Sequence, residues 1–274
     1  MKSFPDFSLE NESGYELVAG VDEAGRGPLC GPVVAAAVIF PSPGGVPRGA
    51  RRGGRLSKEI IINDSKKMSA HQREDAYEFL TTHPDVIWAA ALCTPAEIDE
   101  LNILRASLLA MKRATDALGR APEFVLVDGN RLPPGICPPT GPQNRAPTPP
   151  KGGVVYCSLN SEQVGAELLP PWGESENASL VSAPHFPVGG QQIPGLAVVH
   201  GDAKSLSIAA ASVIAKVTRD RIMCELAREF PQYGWDKNAG YPTASHLQAI
   251  EKYGINRHYR KTFGPVKKLL TKDI

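Results

Sequence analysis

LVAGVDEAGRGPLCGPVVAAAVIF, residues 17–40, is the stretch from which the rest of the chain can be read. Two apolar runs, 17–22 (LVAGVD) and 33–40 (VVAAAVIF), flank a Gly/Pro-rich segment. Short apolar runs bounded by glycine and proline predict two strands joined by a turn. The first strand ends in adjacent carboxylates, Asp22 and Glu23. In a regular strand neighbouring side chains point to opposite faces. Both acids reach one site only if the chain bends there, and Gly25 and Gly27 make a bend easy.

Further apolar runs at 86–93, 124–127 and 196–199 predict three more strands. Ile98, Leu101, Leu104, Leu108, Met111 and Leu118 recur at helical spacing. With Thr94 before Pro95 as a cap and Gly119 as a stop, they predict a helix. The Ala-rich stretch 205–230 predicts the longest helix. Antiparallel strands followed by alternating helix and strand give a mixed sheet flanked by helices. Two stretches interrupt the pattern. Residues 41–56 are rich in Gly, Pro and Arg and read as a mobile loop, whereas 132–195 hold 13 of the 25 prolines. Loops of that length are uncommon inside a compact domain, and proline-rich ones are often disordered. Within the second, 154–159 is a candidate strand without an identifiable partner. No internal repeat is apparent.

The chain has 274 residues, 42% hydrophobic and 22% charged, the balance of a soluble globular protein. A formal net charge of +1 gives no whole-chain sign of a nucleic-acid partner, so any anion-binding surface is local. Acids gather near the start, at Asp6, Glu10, Glu12 and Glu16. Lys252, Arg257, Arg260, Lys261, Lys267, Lys268 and Lys272 gather near the end, interleaved with Tyr253, Tyr259 and Phe263. That basic stretch reads either as a solvated helix or as a phosphate- and base-contacting surface. Five cysteines, Cys30, Cys93, Cys137, Cys157 and Cys224, form no C-x-x-C pair and fit free thiols in a reducing compartment. There is no signal-peptide pattern and no apolar run long enough to span a bilayer. A cytoplasmic, monomeric protein with no membrane partner is expected.

Asp22 and Glu23 end one predicted strand, Asp128 ends another and Asp202 follows a third. Carboxylates clustered near a core repel one another and lose solvation. Such a cluster makes sense if divalent cations neutralise it. Mg²⁺ favours hard oxygen ligands and keeps several waters. Two ions about 3.5–4 Å apart can stabilise both the attacking and the leaving oxygen of a phosphoryl displacement. Taken singly, each acid also has a plain structural reading: Asp128-Gly129 is a turn dipeptide and Asp202 can cap the helix after it. Gly25-Arg26-Gly27 lets backbone approach a sugar or phosphate beside a charge, but the next glycine, Gly31, breaks the dinucleotide fingerprint. Residues 201–205 (GDAKS) depart from a phosphate loop at Ala203, where glycine is required. Asp220, among Lys216, Arg219 and Arg221, reads as a surface ion pair. Lys66 and Lys67 are either phosphate contacts or part of a solvated loop. His71, His83, His185, His200, His246 and His258 show no metal-ligand spacing.

Residues 20–28 (GVDEAGRGP) and 31–34 (GPVV) resemble the opening signature of bacterial ribonuclease HII. The likeness continues in family order through 63–67 (NDSKK), 97–104 (EIDELNIL), 127–130 (VDGN), 201–202 (GD), 207–220 (SIAAASVIAKVTRD), 230–234 (FPQYG), 240–243 (GYPT) and 263–267 (FGPVK). The resemblance implies an α/β fold: a ribonuclease H-like mixed β-sheet flanked by helices, with a small C-terminal helical extension. The catalytic domain would span 14–225, interrupted by the insertion at 132–195, and the extension 226–274. It implies an endonuclease that cuts the RNA strand of RNA–DNA hybrids. It would also cut 5′ of ribonucleotides embedded in duplex DNA, leaving 5′-phosphate and 3′-hydroxyl ends. Asp22, Glu23, Asp128 and Asp202 would be catalytic and bind two Mn²⁺ or Mg²⁺ ions. Gly25, Arg26 and Gly27 would recognise the ribose 2′-OH, the group that separates RNA from DNA. Tyr241 would stack on the sugar across the RNA-to-DNA junction, its alternative being a core-edge aromatic beside a Gly-Pro turn. Lys66 and Lys67 join the substrate-binding set. One departure stands out: Asp128 and Asp202 lie 74 positions apart (202 − 128), where the family connection is short. Loop-closure cost grows slowly with length, so the strand ends can stay in place. A DNA-directed nuclease of the same fold and a non-catalytic hybrid-binding protein are the rival readings.

Overall fold

The computed structural model describes residues 4–40, 60–139 and 192–271. Strands β1 (Val18–Ala24) and β2 (Val33–Ile39) pair antiparallel, and β3 (Ile87–Cys93) adds antiparallel to β2. Strand β4 (Phe124–Asp128) runs parallel to β1. The two-residue β5 (Ile136–Cys137) and β6 (Ile193–Val198) complete a six-stranded mixed sheet in the order β3-β2-β1-β4-β6-β5. The expected α/β class and mixed sheet are thus present. β1 runs two residues beyond the expected 17–22, and β6 opens three residues before the expected 196. Both ends of the 132–195 insertion therefore join the sheet, with Ile136 beside Ile193. The candidate strand at 154–159 and the whole 41–56 loop lie outside the described residues.

β2 is buried along its whole length, and its two faces serve two cores. Val33, Ala35, Ala37 and Ile39 face one layer, Ala36 and Val38 the other, as the two-residue period of a strand requires. Helix α1 (Ser8–Ser13) precedes the sheet, and α2 (Ala70–Thr82), opened by a Ser69–Gln72 capping box, fills an interval for which no element was expected. The single helix expected after Thr94 is two, α3 (Pro95–Leu101) and α4 (Ile103–Asp116). Asn102, at φ 70°, ends the first, and its side chain accepts from the Leu104 and Arg105 amides to start the second. Periodicity survives that break, which is why the spacing conceals it. Ala106, Ala110, Met111 and Ala114 of α4 cover the first sheet face.

Helix α5 (Leu206–Glu229), capped by Ser205, covers the other with Ala209, Ala210, Val213, Ile214 and Val217. It crosses β1 at Gly20, where any Cβ would lie 2.1 Å from the Ser207 carbonyl carbon, so only glycine fits. α5 continues into a third core shared with α6 (Trp235–Asn238), α7 (Ala244–Tyr253) and α8 (Gly264–Leu270). There Trp235 stacks on Tyr233 at 5.0 Å, and Met223, Ile250, Tyr259 and Val266 close around them. Among the described residues no helix is long and apolar enough to cross a membrane.

Candidate active site

Parallel pairing of Val21 with Val127 places the next residues, Asp22 and Asp128, level at the C-terminal ends of β1 and β4. Asp128 also pairs with Val198, which brings the 3₁₀ turn Gly201–Ala203 alongside. The turn starts at His200 in the left-handed region, and the Gly201 amide donates to Asp128 Oδ1 at 2.7 Å. Asp202 is buried on this turn and does not cap α5; Ser205 does. The β1–β2 ladder runs unbroken through Asp22 and Glu23, so the expected bend does not separate them. It comes at Gly25, φ 99°. Glu23 nonetheless lies in the field of Asp128.

Burial, followed by the charges of Glu23 and Asp128, holds the Asp22 carboxyl well above its ordinary range. Glu23 is raised by burial as well, against the opposing charge of Arg26 at 3.2 Å. Asp202 is raised by burial and then by Asp128 and Asp64. Asp64, a buried carboxylate that the sequence reading passed over, caps the 3₁₀ turn Ser65–Lys67 and pairs with Lys67 at 2.9 Å. Burial opposes its ionisation, yet hydrogen bonds from Lys67 and the Lys66 amide bring its pKa below the usual value. The Lys66 ammonium faces Asp22, Asp202, Asp64 and Asp128, which together outweigh its own desolvation and raise its pKa. Both lysines are otherwise exposed. Among the described residues no three His, Cys, Asp or Glu side chains stand close enough to enclose an ion as they are. The donor set still fits a hard divalent cation. All its atoms are carboxylate oxygens, and burial with mutual repulsion raises the pKa values of Asp22 and Asp202, a cost that a bound cation would offset.

The Gly25-Arg26-Gly27 loop forms a second wall. A Cβ on Gly27 would sit 3.3 Å from Tyr241 Cε1, so loop and ring face each other closely. Tyr241 is 45% exposed, so part of its ring is open to solvent beside the loop. Arg260 holds the loop from behind. Its guanidinium donates to the carbonyls of Gly25, Arg26, Pro28, Gly31 and Pro32 at 2.7–3.1 Å. Arg219 donates to the carbonyls of Cys30, Pro32 and Ala239. Turning these carbonyls inward leaves the loop's other face free for a ligand. Burial and the neighbouring Arg219 charge push the Arg260 pKa down to about 9.

Arg260 was expected in a solvated or phosphate-contacting run, and that placement is corrected: Arg260 and Tyr259 are buried, while Lys252, Arg257, Lys261, Lys267 and Lys268 are exposed. Lys272 lies outside the described residues. Asp220 does pair with Lys216, as expected. His246, also unassigned from sequence, supports Tyr241. Its Nε2 accepts from the Trp235 indole N–H, a group that only donates, at 3.1 Å. The ring proton is therefore on Nδ1, which donates to the Tyr241 carbonyl at 2.8 Å.

The family model described as Ribonuclease HII matches residues 19–140 and 180–264, more than half of the chain. Ribonuclease HII of Paracoccus denitrificans is 40% identical over 274 residues, covering 99% of this chain and 97% of that protein. The crystal structure of ribonuclease H2 from Pyrococcus horikoshii superposes with a TM-score of 0.59 at 25% identity, over 93% of this chain and 98% of that one. Bst ribonuclease HIII, solved with Mn²⁺, shares the fold at a TM-score of 0.53 and 15% identity, over 97% of this chain and 72% of that one. With its strand-end acids, its mixed sheet and these likenesses, the chain belongs to the ribonuclease HII family of metal-dependent endonucleases.

Proposed function

We propose that the enzyme hydrolyses the RNA strand of RNA–DNA hybrids and cuts 5′ of ribonucleotides embedded in duplex DNA, leaving 5′-phosphate and 3′-hydroxyl ends. The observation that carries this reading is the meeting of two unlike walls. Mutually repelling acids, Asp22 and Asp202 buried and Glu23 and Asp128 half-buried, stand at the ends of β1 and β4 and on the turn after β6, and the Gly27–Tyr241 contact stands close by, beyond the end of β1. Asp22, Glu23, Asp128 and Asp202 would hold two divalent ions, Mg²⁺ or Mn²⁺. When bound, these supply charge neutralisation for the attacking and leaving oxygens. The chain's own groups position the substrate. The outward face of Gly25-Arg26-Gly27 reads the ribose 2′-OH, and Arg26 adds a charge at its rim. Tyr241 stacks on the neighbouring sugar, held by His246 through its carbonyl. Lys66 and Lys67 meet the phosphates, with Lys66 also offsetting the acids. Residues 226–274, with their exposed lysines, serve as the substrate-binding extension of a catalytic domain at 14–225. We take the protein to act as a cytoplasmic monomer.

The test compares a duplex carrying one ribonucleotide with the same duplex in all-DNA form, with Mg²⁺ and Mn²⁺ in turn. Cleavage confined to the ribonucleotide duplex is expected. Equal cutting of both would mark a DNA-directed nuclease, and no metal-dependent turnover on either would mark a binding protein.

A further inference from the structure

Glu10, on α1, is a buried carboxylate outside the strand-end cluster, only 6% exposed. Its Oε1 accepts three hydrogen bonds, from Ser205 Oγ at 2.6 Å, the Ser207 amide at 3.0 Å and Ser207 Oγ at 2.6 Å. Its Oε2 has no hydrogen-bond partner among the described residues. The same arm is tied down twice more. The Asp6 carbonyl accepts from the Leu206 amide at 2.9 Å, and the Asp6 amide donates to Lys204 at 3.3 Å. Phe7 sets its ring against Phe40, edge to face at 5.4 Å.

The segment gripped in this way is the junction of all three acid-bearing strands. The amides of Lys204 and Ser205 donate to the Gly201 carbonyl at 2.9 and 2.8 Å, which closes the turn carrying Asp202. The Gly201 amide in turn holds Asp128. Ser207 presses on Gly20, two residues before Asp22, and Ile208 on Gly201, where a Cβ would lie 2.6 Å from Ile208 Cδ1. A helix start alone does not call for a buried acid here. Ser205 already caps α5 by accepting the Ile208 amide. A carboxylate at the helix N-terminus is favourable, but an unpartnered buried oxygen is costly, so the arrangement is explained by what it fixes.

We infer that Glu10 is a positioning residue for the metal-binding acids: by pinning Ser205 and Ser207, it sets the Asp202 turn against Asp22 and Asp128. The inference rests on the reading of Asp202 as a metal ligand. The test is calorimetric titration of Mn²⁺ into the full-length protein, well below its melting temperature. Wild type, Glu10→Ala, Glu10→Gln, Asp202→Asn and Glu10→Ala with Asp202→Asn are compared, with kcat and KM measured on the one-ribonucleotide duplex. Groups that orient metal ligands typically change affinity or activity by 10–100-fold, so Glu10→Ala is expected to weaken Mn²⁺ binding about tenfold and lower kcat similarly. KM for the duplex should stay unchanged. Glu10→Gln keeps the accepting oxygen and should restore most of both. The double variant should bind Mn²⁺ no more weakly than Asp202→Asn alone, as coupled positions do. Unchanged Mn²⁺ affinity in Glu10→Ala, beside a defective Asp202→Asn, overturns the role of Glu10 and leaves the ligand reading standing. Wild-type Mn²⁺ binding and cleavage by Asp202→Asn would remove the ligand reading itself. Should Glu10→Ala fail to fold, Ser207→Ala, which loses one of the three bonds, should show a smaller weakening. An unchanged affinity there would overturn the inference equally.

Discussion

Buried charge is handled in opposite ways on the two walls of the site. The guanidiniums of Arg260 and Arg219 are turned onto carbonyl oxygens, and these fixed dipoles offset burial and the repulsion between the two arginines. Asp22, Glu23 and Asp202 each lie instead in the field of a like charge, Asp128, and burial together with that repulsion raises their pKa values. The satisfied charges build the loop. The under-compensated ones leave room for a cation that only a bound ion supplies in full. A buried charge matched by fixed partners is architecture, whereas a buried charge lacking them marks chemistry.

The sharpest way to break this contrast is Asp128→Asn. Loss of a proposed ligand is expected to cost more than the 10–100-fold typical of a supporting group, so cleavage should fall by at least about a hundredfold. The metal-free protein should meanwhile become more stable, because one repelling charge is gone; a paired cleavage assay and urea titration read both signs. Arg260→Met should act the other way on stability. Carbonyls left unsatisfied in the core cost about 1–3 kcal/mol each, and five lose a donor here, so a loss of at least about 3 kcal/mol in urea unfolding is expected. An Arg260→Met protein as stable as wild type would show that the loop needs no such support.

Acidity separates the walls again. Asp22 and Glu23 have folded pKa values raised above their unfolded values, so they favour folding fully only below the ordinary carboxylate range. That contribution is lost as pH rises through the raised folded values. Metal-free stability should therefore fall with pH across that window, and Mn²⁺ or Asp22→Asn should flatten the slope. His246 has the reverse sign: burial lowers its pKa below 6.5, so its contribution is complete above that value and is lost as pH falls toward the folded value. Melting curves from pH 4 to 8, run for wild type and for Asp22→Asn, check both. The smallest effect is expected at Lys67, whose side chain is 61% exposed. Lys67→Ala should leave stability nearly unchanged and reduce the salt dependence of duplex binding by a slope of about 1.

What was legible in the sequence follows the same division. Asp22 and Asp128 stand where an apolar run stops and Asp202 three residues past one, so an unbroken apolar run followed by a carboxylate locates them without any tertiary knowledge. The sheet was legible for the same reason, since β1, β2 and β4 are uninterrupted apolar runs. Arg260 was hidden because its partners are backbone carbonyls some 230 positions away, which no residue type announces. Its neighbours Arg257 and Lys261 are solvent-exposed and dictate the wrong reading of the run. Glu10 and His246 were hidden likewise, since each holds another segment, and Asp64 because it caps its own turn while its bearing on the site is its charge beside Asp202. The break at Asn102 escaped because α3 and α4 keep their apolar spacing across it.

A crystal of the protein with Mn²⁺ and an uncleavable ribonucleotide duplex, read by anomalous scattering, tests the joint action of the acids most directly. Mn²⁺ peaks bridging Asp22 and Asp128, with Glu23 and Asp202 in their coordination shells, are the predicted result. Mn²⁺ bound elsewhere, with these carboxylates still turned to their own amides and to Asp64, would contradict it.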